Sequence, residues 1–156
     1  MAVHSEVSTG SDALHLAGAL VLLVRALEQR LRASAGAEAL TLTEMGILGQ
    51  IDRGVDAPSQ IARQLRLDPA RVTHVTDRLV GAGYIARESN PDDRRRCQLR
   101  LTEAGTAWLR KGRRNLSTAT EALLGDLSPD ERAGLVEGLD GVRRVLSSQP
   151  DPAGVS

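Results

Sequence analysis

The chain has 156 residues, with Lys+Arg and Asp+Glu balanced at 20 each, one Cys, one Trp, one Tyr and no Phe. That length accommodates one domain, or one domain with an extension, and a core so poor in aromatics must be built from Leu, Val, Ile and Ala, which favours helix packing over a β-sandwich. The lone Cys excludes an intramolecular disulfide framework and a Cys-based zinc site, and the charge balance leaves no whole-protein field to attract nucleic acid.

Residues 1–11 are polar and read as a loose N-terminus without the basic start of an export signal. Asp12 can cap a long helix carrying Leu14, Ala17, Leu20, Val21, Val24, Leu27 and Leu31 on one stripe, with Gly36 as its terminator. The apolar run Ala17–Val24 is too short to span a bilayer, so no membrane partner and a cytoplasmic location are expected. Thr41 and Glu44 form a capping-box pair for a second helix to about Arg53, and Gly54 ends it.

Asp56 to Gln64 is expected to be a support helix. Ile61, Leu65, Leu67, Val72 and Val75 let two helices joined by a tight turn bury against one small core, the helix-turn-helix pattern. Many such turns carry Gly where this chain has Arg66. Asp68 suits the N-cap of the second helix and Pro69 its first position. Val72, Val75, Thr76 and Leu79 share one side. The opposite side carries Ala70, Thr73, His74 and Asp77, flanked by Arg71 and Arg78. One apolar face backed by short hydrogen-bonding side chains suits a helix that enters a major groove. Those residues alone also fit a plain amphipathic hairpin.

Gly81-Ala-Gly83 ends that helix. Tyr84 to Glu88 is strand-like, Asn90 to Arg96 is a turn with a basic run, and Cys97, Leu99 and Leu101 alternate with polar residues. Two strands joined by an Arg-rich tip make a β-hairpin wing. Guanidinium pairs with phosphate as a fork and can enter a narrow minor groove. From Arg66 to Arg100 eight Arg stand against five acids. For DNA binding this local excess matters more than the total charge. Cys97 reads as a small buried apolar residue rather than a redox sensor.

Thr102 begins a long helix to about Gly125, marked by Trp108, Leu109, Leu116, Leu123 and Leu124. Its basic cluster Arg110, Lys111, Arg113 and Arg114 reads as a solvated face. Ser128-Pro-Asp-Glu131 opens a last helix bearing Leu135, Leu139, Val142, Val145 and Leu146. The fold class expected is mainly α with a small β-hairpin wing. A winged helix-turn-helix domain fills 40–101, a helical dimerisation region fills 12–39 and 102–146, and 147–156 is a loose tail. The first helix and the last two carry apolar stripes that a small core cannot fully cover, and such a surplus usually marks an interface.

The stretch Asn90-Pro-Asp-Asp-Arg-Arg-Arg-Cys-Gln-Leu-Arg-Leu-Thr-Glu-Ala-Gly105 resembles the wing signature of the MarR family of winged-helix regulators. That signature is roughly D-P-x-D-x-R, a strand, then L-T-x-x-G. Asp93, Arg95, Leu101, Thr102 and Gly105 match it, and Asn90 replaces the usual Asp. From about Leu14 to about Leu146 the helices match in order and length. The resemblance implies that the terminal helices interlock in a two-fold homodimer, with recognition helices about 34 Å apart on a palindromic operator. It implies Arg95 as the minor-groove residue of the wing tip, with Asp93 orienting it. Relatives often bind small, frequently phenolic anions between the dimer helices and the winged core. A small aromatic or anionic effector is therefore expected, with His15 and Arg25 as conceivable ligand-binding groups. Some relatives sense peroxide with a Cys in the first helix, and this chain has none there.

The residues assigned to double-stranded DNA are Ala70, Arg71, Thr73, His74 and Arg78 on the recognition helix, with Asp93, Arg94, Arg95 and Arg96 at the wing. Thr73 can bond a base edge or a phosphate, Arg71 a guanine or a phosphate. Arg78 fits an acid or a phosphate better than a base. The expected function is a sequence-specific, ligand-responsive repressor. An activator or dual regulator of the same fold, and a winged-helix module that binds protein, are the alternatives. No Gly-rich phosphate loop, paired His ligands or nucleophile elbow appears, so no enzyme activity, cofactor or metal is expected.

Overall fold

The computed structural model describes residues 6–35, 39–89 and 97–149. Helix α1 (Glu6–Ala35) leads into α2 (Leu42–Asp52), α3 (Pro58–Leu65) and α4 (Pro69–Gly81). Strands β1 (Ile85–Ser89) and β2 (Cys97–Leu101) follow, then α5 (Glu103–Leu124) and α6 (Pro129–Ser148). The strands pair antiparallel, with Ile85 opposite Leu101 and Ser89 opposite Cys97. The protein is therefore mainly α with one small hairpin.

Local chemistry explains most of the helix starts. Thr41 and Glu44 satisfy each other's backbone N–H groups at the head of α2, and Ser128 and Glu131 do the same at the head of α6. Thr102 caps α5 by accepting from the Gly105 N–H at 3.0 Å. Its own hydroxyl donates to the Gly83 carbonyl at 2.7 Å. This locks the end of the hairpin to the turn after α4. The backbone of Tyr84 passes so close to α5 that a Cβ on Gly105 would lie 1.9 Å from the Tyr84 carbonyl oxygen. The Leu-Thr-x-x-Gly spacing is thus a packing requirement: a cap, then a residue without a side chain one turn on.

The core lies where α2, α3, α4, α5 and the hairpin meet. Ile47, Leu48, Ile61, Val72, Leu79, Ile85, Leu99 and Leu109 are fully buried there. Tyr84 and Trp108, the chain's two aromatics, stack on each other with ring centroids 3.9 Å apart. Helix α1 packs along α5 and buries Leu31.

Three boundaries differ from the sequence reading. Helix α1 already runs at Glu6 instead of starting at Asp12, because extending a nucleated helix by two turns is far easier than starting one. Helix α3 starts at Pro58 rather than Asp56. The Asp56 carbonyl accepts from the Leu99 N–H at 2.9 Å, and Pro58 holds Ala57 extended. Helix α6 continues to Ser148, into the stretch expected to be a loose tail. Among the described residues no helix is long and apolar enough to cross a membrane.

The apolar stripes of α1 and α6 remain largely uncovered. Leu14, Leu16, Val21, Leu22 and Val24 on α1 are exposed, as are Val136, Leu139, Val142, Val145 and Leu146 on α6. No residue of α6 is buried.

Candidate nucleic-acid interface

Helix α4 is held at its N-terminus by Asp68, whose carboxylate accepts the N–H groups of Ala70 (2.7 Å) and Arg71 (3.3 Å). The turn before it passes through Arg66, which is left-handed at φ 51° and ψ 44°. Among the described residues it is the one non-glycine with positive φ. The site where related turns carry Gly is therefore a true left-handed position here, filled by a side chain that pays steric strain. That side chain is used. Its guanidinium donates to the Leu146 carbonyl and to the Gln149 carbonyl (3.5 Å) at the end of α6.

The two faces of α4 divide cleanly. Val72, Val75, Thr76 and Leu79 are buried. Thr76 satisfies its hydroxyl by donating to the Val72 carbonyl at 2.6 Å. Ala70, Arg71, Thr73, His74, Asp77 and Arg78 are exposed. Thr73 donates to the Pro69 carbonyl at 3.0 Å, which leaves its oxygen lone pairs facing outward as acceptors. Arg71 leans over α2 and donates to Thr43 Oγ1 at 3.3 Å.

Two acids near this helix, Glu44 and Asp77, are neutralised from within. Arg78 meets Glu44 of α2 at 2.5 Å, and Arg87 of β1 pairs with Asp77. Glu44 also accepts from the Thr41 N–H and hydroxyl at 2.8 Å each. Pairing removes the two carboxylates that would otherwise repel a phosphate backbone beside Arg71 and His74. Arg71 has no carboxylate partner among the described residues. Lower on the hairpin, Arg100 binds Glu88 at 2.6 Å.

The structure thus gathers Ala70, Arg71, Thr73 and His74 on one exposed surface, and turns Arg78 toward Glu44 at its edge. The hairpin leaves that surface with Ser89 and Cys97 as its outermost described pair. Asp93, Arg94, Arg95 and Arg96 lie outside the described residues. His15 and Arg25 are exposed on α1. The cleft beside α1 is lined instead by Glu28, Leu31, Arg32 and residues 39–42, and at about 30 Å³ it has room for little more than water.

Two features went unread in the sequence. One is the bond from Arg66 to α6. The other is Gln50, a polar residue buried in α2 between Leu48 and Ile51. Its only signal was an amide side chain in an otherwise apolar run.

A model of the MarR family matches residues 40–97. The chain is 33% identical over 95 residues to an HTH-type transcriptional regulator, YkoM of Bacillus subtilis, covering 60% of this chain and 62% of that one. It is 30% identical over 87 residues to the HTH-type transcriptional regulator PapX of Escherichia coli, covering 56% of this chain and 53% of PapX. The chain thus spans somewhat over half the length of these curated relatives. Among solved structures, the reduced form of MarR from E. coli superimposes with a TM-score of 0.69 at 26% identity, over 80% of this chain and 94% of that chain. Residues 40–97, the helix-turn-helix and the rise of the wing, thus match the MarR family, and the fold around them is similar to that of MarR itself.

Proposed function

We propose that the protein is a DNA-binding transcriptional regulator that acts in the cytoplasm as a two-fold dimer, represses from a palindromic operator and is released by a small aromatic or anionic effector. The observation that carries this reading is the outer face of α4. It offers Thr73 oxygen lone pairs, the Arg71 guanidinium and the His74 imidazole together, with the carboxylates of Glu44 and Asp77 already paired. Thr73 and Arg71 contact base edges, with Ala70 giving apolar contact to a thymine methyl. Arg94, Arg95 and Arg96 add minor-groove and phosphate contacts from the wing, with Asp93 orienting Arg95. Arg78 positions α4 through Glu44 and reaches phosphate only at the rim.

The dimer is supported by the bare apolar faces of α1 and α6, each presenting five large exposed side chains. Pairing those faces by a two-fold axis sets the recognition helices about one DNA turn, or 34 Å, apart. His15 and Arg25, exposed on α1, then sit close to or within the interface region, where an effector would act on helix spacing. The test is a gel shift on DNA upstream of the protein's own coding sequence, at two salt concentrations. Binding that weakens steeply with salt and shows preference over scrambled DNA supports the reading. Equal or absent binding of both DNAs rejects it, and leaves the protein-binding winged helix as the alternative.

A further inference from the structure

Helix α6 is 20 residues long, about 30 Å from end to end, and none of its residues is buried. Side-chain hydrogen bonds tie it to the rest of the chain at both ends. At its head, Arg132 donates to the Glu121 carboxylate of α5 at 3.2 Å and to the Leu124 carbonyl at 3.1 Å. At its foot, the Arg66 guanidinium donates to the Leu146 and Gln149 carbonyls. Near the foot, α6 faces the end of α2 and the C-terminal end of α3 across a cleft of about 700 Å³, which Gln50 borders. The helix is thus a strut, pinned by polar bonds instead of being seated by burial.

The lower pin is built across the chain. The last turn of α6 carries no basic residue, and its C-cap, Gln149, is extended at φ −79° and ψ 135° where many helices close with a left-handed residue. Ser147 and Ser148 donate to the Arg143 and Val145 carbonyls at 2.8 and 2.9 Å. The Leu146 carbonyl is met by Arg66, which also brings a cation to the negative end of the helix. Arg66 sits in the turn between α3 and α4, just before Asp68, the cap of α4. A glycine would adopt φ 51° there without steric penalty. What arginine adds is its reach to α6. Leu146 gives this bond only its main-chain carbonyl, and its side chain stays 44% exposed on the bare apolar face. One turn of α6 therefore serves both that face and the helix-turn-helix.

From this arrangement we infer that Arg66 is a positioning residue that sets the separation of the two recognition helices, and with it the half-site spacing the dimer accepts. The inference rests on the two-fold, DNA-binding reading above. In that reading α4 carries the base-reading groups and α6 carries part of the two-fold face. A stiff joint between them fixes where the second α4 falls relative to the first, and half-site spacing is that separation expressed in base pairs. Without the guanidinium, the foot of α6 is released from the turn before α4, and each winged core swings more widely on the dimer helices. Arg66 itself touches no base and acts through α4.

The test is fluorescence anisotropy of the full chain on four duplexes. Three carry the inverted repeat that the wild-type chain selects, at the selected spacing and with one base pair inserted or removed at the centre, and the fourth carries a single half-site. The wild type is expected to bind the two altered spacings about tenfold more weakly than the selected one. Arg66→Gly suits a left-handed turn, Arg66→Asn tolerates one, and both lack the guanidinium. In both variants the spacing penalty is expected to shrink to about twofold, with single-half-site affinity within about twofold of the wild type. A merely structural Arg66 would lower the melting midpoint and leave the spacing penalty in place. That result overturns the inference while the regulator reading stands. Loss of half-site binding in variants whose circular dichroism matches the wild type also overturns it, because Arg66 would then act on base reading and not on spacing. A wild type that selects no repeat, or binds all spacings alike, rejects the two-fold reading and the inference with it.

Discussion

Arg78 of α4 meets Glu44 of α2 at 2.5 Å, and Glu44 is at the same time the capping-box acid of its own helix. One nearly buried carboxylate thus fixes the start of α2 and the azimuth of α4. Arg78→Ala leaves that carboxylate with its two bonds from Thr41 and removes the partner of its other oxygen. Unfolding free energy should fall by about 1–3 kcal/mol in a urea titration. Thr73→Ala, on the open face of the same helix, should change it by no more than about 0.5 kcal/mol. Equal effects would mean that Arg78 does not position α4.

Arg66 stands at φ 51°. Replacing it by Gly and by Ala removes the same guanidinium bonds to α6 but treats the backbone differently. The Gly variant should be more stable than the Ala variant by about 1 kcal/mol, since only Ala retains the left-handed penalty. Urea midpoints of the two variants check this. An Ala variant as stable as the Gly variant would show that the turn relaxes away from the left-handed region.

A methyl group at Gly105 would collide with the Tyr84 carbonyl oxygen, which belongs to backbone and cannot swing aside. Gly105→Ala should therefore destabilise the fold by about 3 kcal/mol. It should also disturb the Tyr84–Trp108 stack, visible as a change in Trp fluorescence. An unchanged midpoint would remove the packing explanation of the Leu-Thr-x-x-Gly spacing.

At the head of α6, the Ser128 backbone N–H and then its hydroxyl hold the Glu131 carboxyl below its ordinary value of 4.5. A depressed carboxyl contributes stability that is present above its unfolded value and is lost as pH falls through the folded one. Helix content should therefore decline from below about pH 4.5, and Glu131→Gln should remove that component of the acid transition. Circular dichroism at 222 nm across an acid titration measures it.

What could be read in advance followed sequence distance. The Asp68–Pro69 start of α4 and the Thr41–Glu44 and Ser128–Glu131 boxes are complete within four residues, so composition alone identifies them. The faces of α4 follow from helical spacing. Arg66 marked its turn only as a departure from Gly, and nothing local announced its reach across 80 residues to α6. Gln50 faces a cleft made by the other end of the chain, which no window around residue 50 contains. Asp56 paired with β2 instead of joining α3 for the same reason: its partner, Leu99, lies on a distant strand.

The wing residues are tested by charge counting. Arg95→Ala should weaken operator binding and lower the slope of log affinity against log salt by about one unit. An unchanged slope would take the wing out of the interface.

The central claim is that the outer face of α4 reads bases in a two-fold arrangement. Selection of binding sites from random DNA by the wild-type chain and by Thr73→Ala tests it most directly. The account predicts an inverted repeat with half-sites about one helical turn apart, and an altered base preference at one symmetric position in the variant. Recovery of no enriched sequence, or of the same repeat from both proteins, would contradict it.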